Sequence, residues 1–132
     1  MSTHAERSVS IVIYAKKGGV LASFYASVLG LRIEREDDGS TMLGSHDVEL
    51  AIVQAPAAIA DTIRIATPAE VRSNTPIKVS FLVADIETLR TAIERSGGSL
   101  KPRGATWTWN GALHLDGCDP EGNVFQLRQP SP

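Results

Sequence analysis

The sequence predicts an α+β fold built from two βαβββ modules in series. Three observations carry this. Strand-like alternation and helix-like periodicity follow one another in a fixed order. That order then restarts after a stretch of different texture. And one interval separates Ser10 from Lys78, Lys17 from Asp85 and Gly30 from Gly98, as expected of a duplicated unit in which each half buries the other's sheet.

The first module spans residues 8–54. Residues 8–14 alternate, with Val9, Ile11 and Ile13 on one face and Ser10, Val12 and Tyr14 on the other, which predicts a strand. Residues 18–29 follow. Leu21, Phe24, Tyr25 and Val28 recur at helical spacing, and Gly30 suits a left-handed stop. Residues 31–36 form a second strand, Asp37-Asp38-Gly39-Ser40 a turn, residues 41–44 a short third strand, Ser45-His46-Asp47 another turn, and residues 48–54 a fourth strand.

Residues 55–75 contain Pro56 and Pro68 and no clean period. They read as a surface linker with one short helix near 68–72. The second module spans residues 76–129. Residues 77–83 alternate, with Ile77, Val79, Phe81 and Val83 opposite Lys78, Ser80 and Leu82. Asp85 is the expected N-cap of a helix carrying Ile86, Leu89 and Ile93 and running to Ser96, and Gly97-Gly98 ends it. A strand over 99–103, a Trp-bearing loop over 104–110, a strand over 111–116, a turn at Asp119-Pro120-Glu121-Gly122 and a last strand over 123–129 complete the unit. Proline cannot extend a sheet interior, so Pro130-Ser131-Pro132 closes the pattern. The whole of 1–132 reads as a single domain.

Composition excludes several classes. The formal net charge is −2, without the basic excess of a nucleic-acid or anionic-membrane binder. A single cysteine, Cys118, allows neither an intrachain disulfide nor a Cys-based zinc finger. No apolar run approaches the ~18 residues of a membrane span, and the opening MSTHAERS lacks a signal-peptide hydrophobic region. A cytoplasmic protein that binds neither nucleic acid nor membrane is expected.

Several residues bear chemistry. The polar strand faces carry Ser10 and Tyr14, Glu49, Lys78 and Ser80, and Gln126 with Arg128. Trp107 and Trp109 lie two apart and share a side if extended. They either stack a planar ligand or plug a barrel end or dimer seam. His114, of one parity with Ala112 and Asp116, is a candidate base or ligand contact, or a satisfied or exposed strand histidine. Arg128, Lys78 and Arg103 favour an anionic ligand. Cys118, in a Gly-Cys-Asp turn, is expected to be exposed or half-buried, with no neighbouring base in the sequence to activate it.

Three segments resemble the vicinal oxygen chelate superfamily, which includes glyoxalase I, bleomycin-resistance proteins and extradiol dioxygenases. They are FYASVLGL over 24–31, VSFLVADIETLRTAIERSGG over 79–98 and DPEGNVFQL over 119–127. The resemblance implies cupped mixed sheets around a cleft, formed within one chain or across a homodimer. It places up to four metal-ligand positions on the first and last strands of the modules. Here these fall on Ser10, Lys78, Glu49 and Gln126.

A divalent metal wants several imidazole, carboxylate or thiolate donors. An alcohol is a poor donor and an ammonium repels a cation, so no metal and no other cofactor is expected. Lys78 is expected either to pair with Glu49 across the cleft floor or to project into solvent. Three functions follow. The first is a metal-independent, homodimeric binder of a small, partly planar molecule, with Ser10, Tyr14, Glu49, Lys78, Ser80, Trp107, Trp109, His114, Gln126 and Arg128 as ligand contacts. The second is an enzyme of glyoxalase-type lyase/isomerase or ring-cleaving dioxygenase class, with Glu49 or His114 as catalytic candidates. The third is a structural or regulatory dimer without a ligand.

Overall fold

The computed structural model describes residues 9–72 and 74–131. Ser8, the expected first strand residue, lies outside them, as do the opening residues and Pro132. Two compact units divide the chain at Arg64 and Ile65.

The first unit holds β1 (Val9–Ala15), α1 (Gly18–Ser27), β2 (Arg32–Asp37), β3 (Ser40–Ser45), β4 (Val48–Gln54) and a short α2 (Ala57–Ala60). Its sheet runs β1-β4-β3-β2. β1 is parallel to β4, and the other pairs are antiparallel. Lys17 supplies no side-chain cap to α1. The cap comes from β4, whose Gln54 Oε1 accepts the Gly18 N–H at 2.7 Å. At the other end Gly30 adopts φ 75°, and Leu31 N–H closes on the Tyr25 carbonyl at 3.1 Å, the left-handed stop that glycine permits at little steric cost. Leu21, Phe24 and Tyr25 of the helix and Leu43, Leu50 and Ile52 of the sheet are buried. Val9, expected on the apolar face of β1, is exposed, as is Val48; they pair with each other at one end of the β1–β4 ladder.

The second unit repeats the plan. It holds β5 (Val79–Leu82), a 3₁₀ turn (Glu87–Leu89) leading into α3 (Arg90–Arg95), β6 (Ser99–Leu100), a second 3₁₀ turn (Arg103–Ala105), β7 (Trp107–Trp109), β8 (Ala112–Cys118) and β9 (Val124–Pro130). Its sheet order β5-β9-β8-β6 matches that of the first unit, and β7 is added on β8. Ile86, Ile93, Leu100, Leu115, Phe125 and Leu127 are buried, and so, against expectation, is Cys118, which ends β8 rather than lying in a turn. Phe81 meets Phe125 edge-on, with ring centroids 6.4 Å apart. α3 ends as expected, with Gly97 at φ 93° and Gly98 N–H donating to the Ile93 carbonyl at 3.0 Å.

Five local expectations are corrected. The short helix lies at Ala57–Ala60 rather than near 68–72, where Arg72 N–H instead donates to the Gly122 carbonyl at 2.9 Å. The strand expected over 77–83 is confined to Val79–Leu82, and Ile77, just after Pro76, is exposed. Asp85 makes no side-chain cap; Gln129 Oε1 takes the Ile86 N–H at 2.6 Å. The strand over 99–103 stops at Leu100, because Pro102 has no N–H for a ladder and leads into the 3₁₀ turn.

The fifth correction concerns function most. The expected loop over 104–110 contains β7, which pairs antiparallel with β8. Asn110 and Gly111 join the two strands at φ 51° and 75°. Positive φ at both central residues is the type I′ hairpin requirement, and Asn-Gly is its preferred dipeptide. The hairpin extends Trp107-Thr108-Trp109, so both indoles emerge on one side of the sheet. Among the described residues no helix is long and apolar enough to cross a membrane.

Candidate functional site

The register of the second sheet brings six of the expected residues, and Asp116, to one face. Trp107 lies opposite His114, and Trp109 opposite Ala112. His114 lies opposite Arg128, and Asp116 opposite Gln126. Ser80 lies opposite Gln126. Directly paired residues share a face, so Ser80, Trp107, Trp109, His114, Asp116, Gln126 and Arg128 project together. Lys78, just before β5, joins them through its side chain.

The aromatic part is a cluster of three rings. Trp107 stacks on His114 at 5.3 Å between centroids and 19° between planes. Trp109 meets the same imidazole at 5.6 Å and 54°. His114 is 2% exposed, and its Nδ1 lies 3.1 Å from the Ala112 carbonyl oxygen. A carbonyl can only accept, so Nδ1 carries the proton. The ring is thus a buried, hydrogen-bonded support for the two indoles. Lys78 Nζ stands 5.2 Å from the Trp107 ring centroid, within cation–π range. Trp107 is therefore engaged by both an imidazole and an ammonium. Trp109, 65% exposed against 37% for Trp107, presents the more open indole surface.

The polar part is a chain of hydrogen bonds. Ser80 Oγ donates to Gln126 Oε1 at 2.8 Å and accepts from Arg128 Nε at 3.2 Å. Lys78 Nζ donates to both Asp116 carboxylate oxygens at 2.9 Å. Asp116 is the partner that sequence reading missed. The signal was available, because Asp116 shares strand parity with His114. Arg103, expected nearby, sits in a 3₁₀ turn, where its charge acts on Glu87.

In the first unit Ser10 and Glu49 lie opposite each other, and Ser10 Oγ donates to Glu49 Oε2 at 3.0 Å. Tyr14, of the same strand parity as Ser10, is 70% exposed. Glu34 was also missed. It falls where the β2–β3 register shifts, and its carboxylate occupies the place a side chain at Gly44 would take. Gly44 is paired with Glu49, so this second carboxylate lies on the Glu49 face, with its side chain 7% exposed. Nothing in RIEREDD marks Glu34 out from Glu36, because the bulge is set by pairing rather than by local pattern.

The four family metal positions contain a hydroxyl already donated to Glu49, an ammonium held by Asp116, an amide bonded to Ser80, and one carboxylate. The register also places Ser80, not Lys78, opposite Gln126, as Ser10 is opposite Glu49. A serine therefore fills the first-strand position in both modules. Among the described residues no group of three or more His, Cys, Asp or Glu converges. This donor set does not suit a divalent cation.

Comparison with known proteins places the fold. No curated protein matches the chain. A glyoxalase/bleomycin resistance protein/dioxygenase family enzyme from Burkholderia phytofirmans PsJN superposes with a TM-score of 0.71 at 16% identity, covering 96% of this chain and 100% of that one. The fosfomycin resistance protein FosX from Listeria monocytogenes gives 0.62 at 13% identity, covering 99% and 96%. A FosX variant complexed with Mn(II) and 1S,2S-dihydroxypropylphosphonic acid gives 0.65 at 10% identity, covering 99% and 93%. A family model described as a glyoxalase-like domain matches residues 10–128. With the repeated βαβββ topology, these matches make the chain a member of the glyoxalase-like domain family, within the vicinal oxygen chelate superfamily.

Proposed function

We propose that the protein binds a small, partly planar molecule on the β7–β8–β9 face, with Trp109 as the stacking surface, and that it needs no metal ion to do so. The observation that carries this reading is the ring cluster. Trp107 and His114 are committed to each other, while Trp109 keeps most of its surface exposed. A flat indole over a rigid, hydrogen-bonded base favours planar ligands. Ser80, Gln126 and Arg128 supply polar contacts on the same face. Ser10, Tyr14 and Glu49 supply a second polar set in the first module.

Metal independence is supported by the donor chemistry at Ser10, Glu49, Ser80 and Gln126, with the Lys78 ammonium adjacent. The reading includes a homodimer in the cytoplasm. Exposed apolar side chains on the edge strands, Val12 and Tyr14 on β1 and Leu82 on β5, support association between copies.

Native mass spectrometry of freshly purified protein tests these points together. The expected spectrum is a metal-free dimer, with or without a carried small molecule. A stoichiometric Mn, Ni, Zn or Fe ion would replace this reading with that of a glyoxalase-type lyase/isomerase or a ring-cleaving dioxygenase.

A further inference from the structure

Beside Lys78 the second unit contains a cavity of about 460 Å³. That volume falls in the range of small-molecule sites. Its walls come from the segment before β5, from β6 and the residue after it, and from β8 and β9. The charged residues lining it are Arg72, Lys78, Lys101 and Asp116. The lining thus holds three cations and one carboxylate, in a chain whose net charge is −2.

These cations differ in what they are free to do. Lys78 is held by both oxygens of Asp116. Arg72 and Lys101 have no carboxylate partner among the described residues. Both are fixed by their backbones all the same. Arg72 N–H donates to the Gly122 carbonyl at 2.9 Å, and its Nε donates to the Glu121 carbonyl at 3.3 Å. Lys101 N–H donates to the Asp116 carbonyl at 2.9 Å. Two unneutralised cations on anchored backbone, lining a cavity together with Val71, Leu100 and Val124, form a receptor for an anionic head on a small apolar body.

We propose that this cavity binds a small molecule bearing an oxyanion, a carboxylate or a phosphate, which Arg72 and Lys101 hold. The site shares Lys78 and Asp116 with the face described above but does not require the Trp109 surface.

Heteronuclear NMR of the full chain, titrated with inorganic phosphate and separately with sodium butyrate, tests it. The expected result is saturable shifts centred on the Gly117 amide and the Leu100 and Val124 methyls. A response to phosphate assigns the phosphate class, and a response to butyrate the carboxylate class. The Arg72→Gln/Lys101→Gln double variant should weaken binding by about tenfold or more, and the single Lys101→Gln variant by less. Asp116→Asn should tighten it several-fold, since it removes the competing carboxylate and releases Lys78. Trp109→Ala should leave these shifts unchanged. Absence of saturable shifts with both probes would overturn the proposal, as would equal binding by the wild type and the double variant.

Discussion

The two tryptophans, alike in sequence, should behave differently when removed. Trp107→Ala deletes a stacked contact with His114 and a cation–π contact with Lys78. Stacking contributes about 0.5–1.5 kcal/mol and a partly exposed cation–π pair about 0.5–1 kcal/mol. With the apolar area of a ring only 37% exposed, the expected loss of stability is about 2–3 kcal/mol, below the ~3–5 kcal/mol of a fully buried aromatic. Trp109→Ala deletes one tilted contact from a ring 65% exposed, and about 0.5–1 kcal/mol is expected. Urea unfolding followed by far-ultraviolet circular dichroism measures both losses without relying on indole emission. Ligand binding should rank the other way. The chain has two tryptophans, and both belong to the cluster, so their fluorescence reports this face alone. Quenching by a planar carboxylate such as 2-naphthoate should lose about tenfold or more in affinity in Trp109→Ala, equivalent to about 1.4 kcal/mol. Equal destabilisation by the two substitutions, with quenching affinity unaltered by Trp109→Ala, would refute the assignment and make both indoles packing elements.

Three further outcomes follow from the geometry. Asp119, fully buried, accepts the N–H groups of Glu121 and Asn123 and the Asn123 side-chain amide; Asp119→Ala orphans these donors and should cost about 3 kcal/mol in urea unfolding. At Gly117 an added Cβ would lie 2.6 Å from the Ser99 carbonyl and 2.9 Å from Phe125 Cζ, so Gly117→Ala should lower stability by about 1–3 kcal/mol in the same assay. The Arg90 hydrogen bond holds the Glu87 carboxyl below its ordinary value of 4.5. That contribution is present above the unfolded value and is lost as pH falls through the lower folded one. Glu87→Gln should therefore cost about 0.3–0.5 kcal/mol at neutral pH, and the gap between variant and wild type should close under acid in pH-dependent unfolding.

Much of the architecture could be read from residue order. Alternation in VSIVIY and VELAIVQ placed β1 and β4, and the repeated spacing to Gly30 and Gly97-Gly98 placed the ends of both helices. Period-2 parity also sorted the site residues. Ser80, Trp107, Trp109, His114, Gln126 and Arg128 share one face because strand geometry allows nothing else once the register is set. What escaped depends on pairing between distant segments. The three residues of β7 are too short to show a period, although Asn110-Gly111 marks the hairpin. The α1 and 3₁₀ starts take their acceptors from Gln54 and Gln129, across the fold rather than from the preceding residue. Ser10 finds Glu49 directly opposite on the neighbouring strand, and Lys78, just before β5, reaches past β9 to Asp116 on β8, each inside its own module. Glu34 is singled out by a bulge, which no local pattern in β2 announces.

The measurement that bears most directly on the account is 2-naphthoate quenching of tryptophan emission before and after exhaustive chelation with EDTA. Saturable quenching of the same affinity in both preparations is the predicted result. Quenching that vanishes on chelation and returns with added Mn(II), Ni(II) or Zn(II) would contradict it.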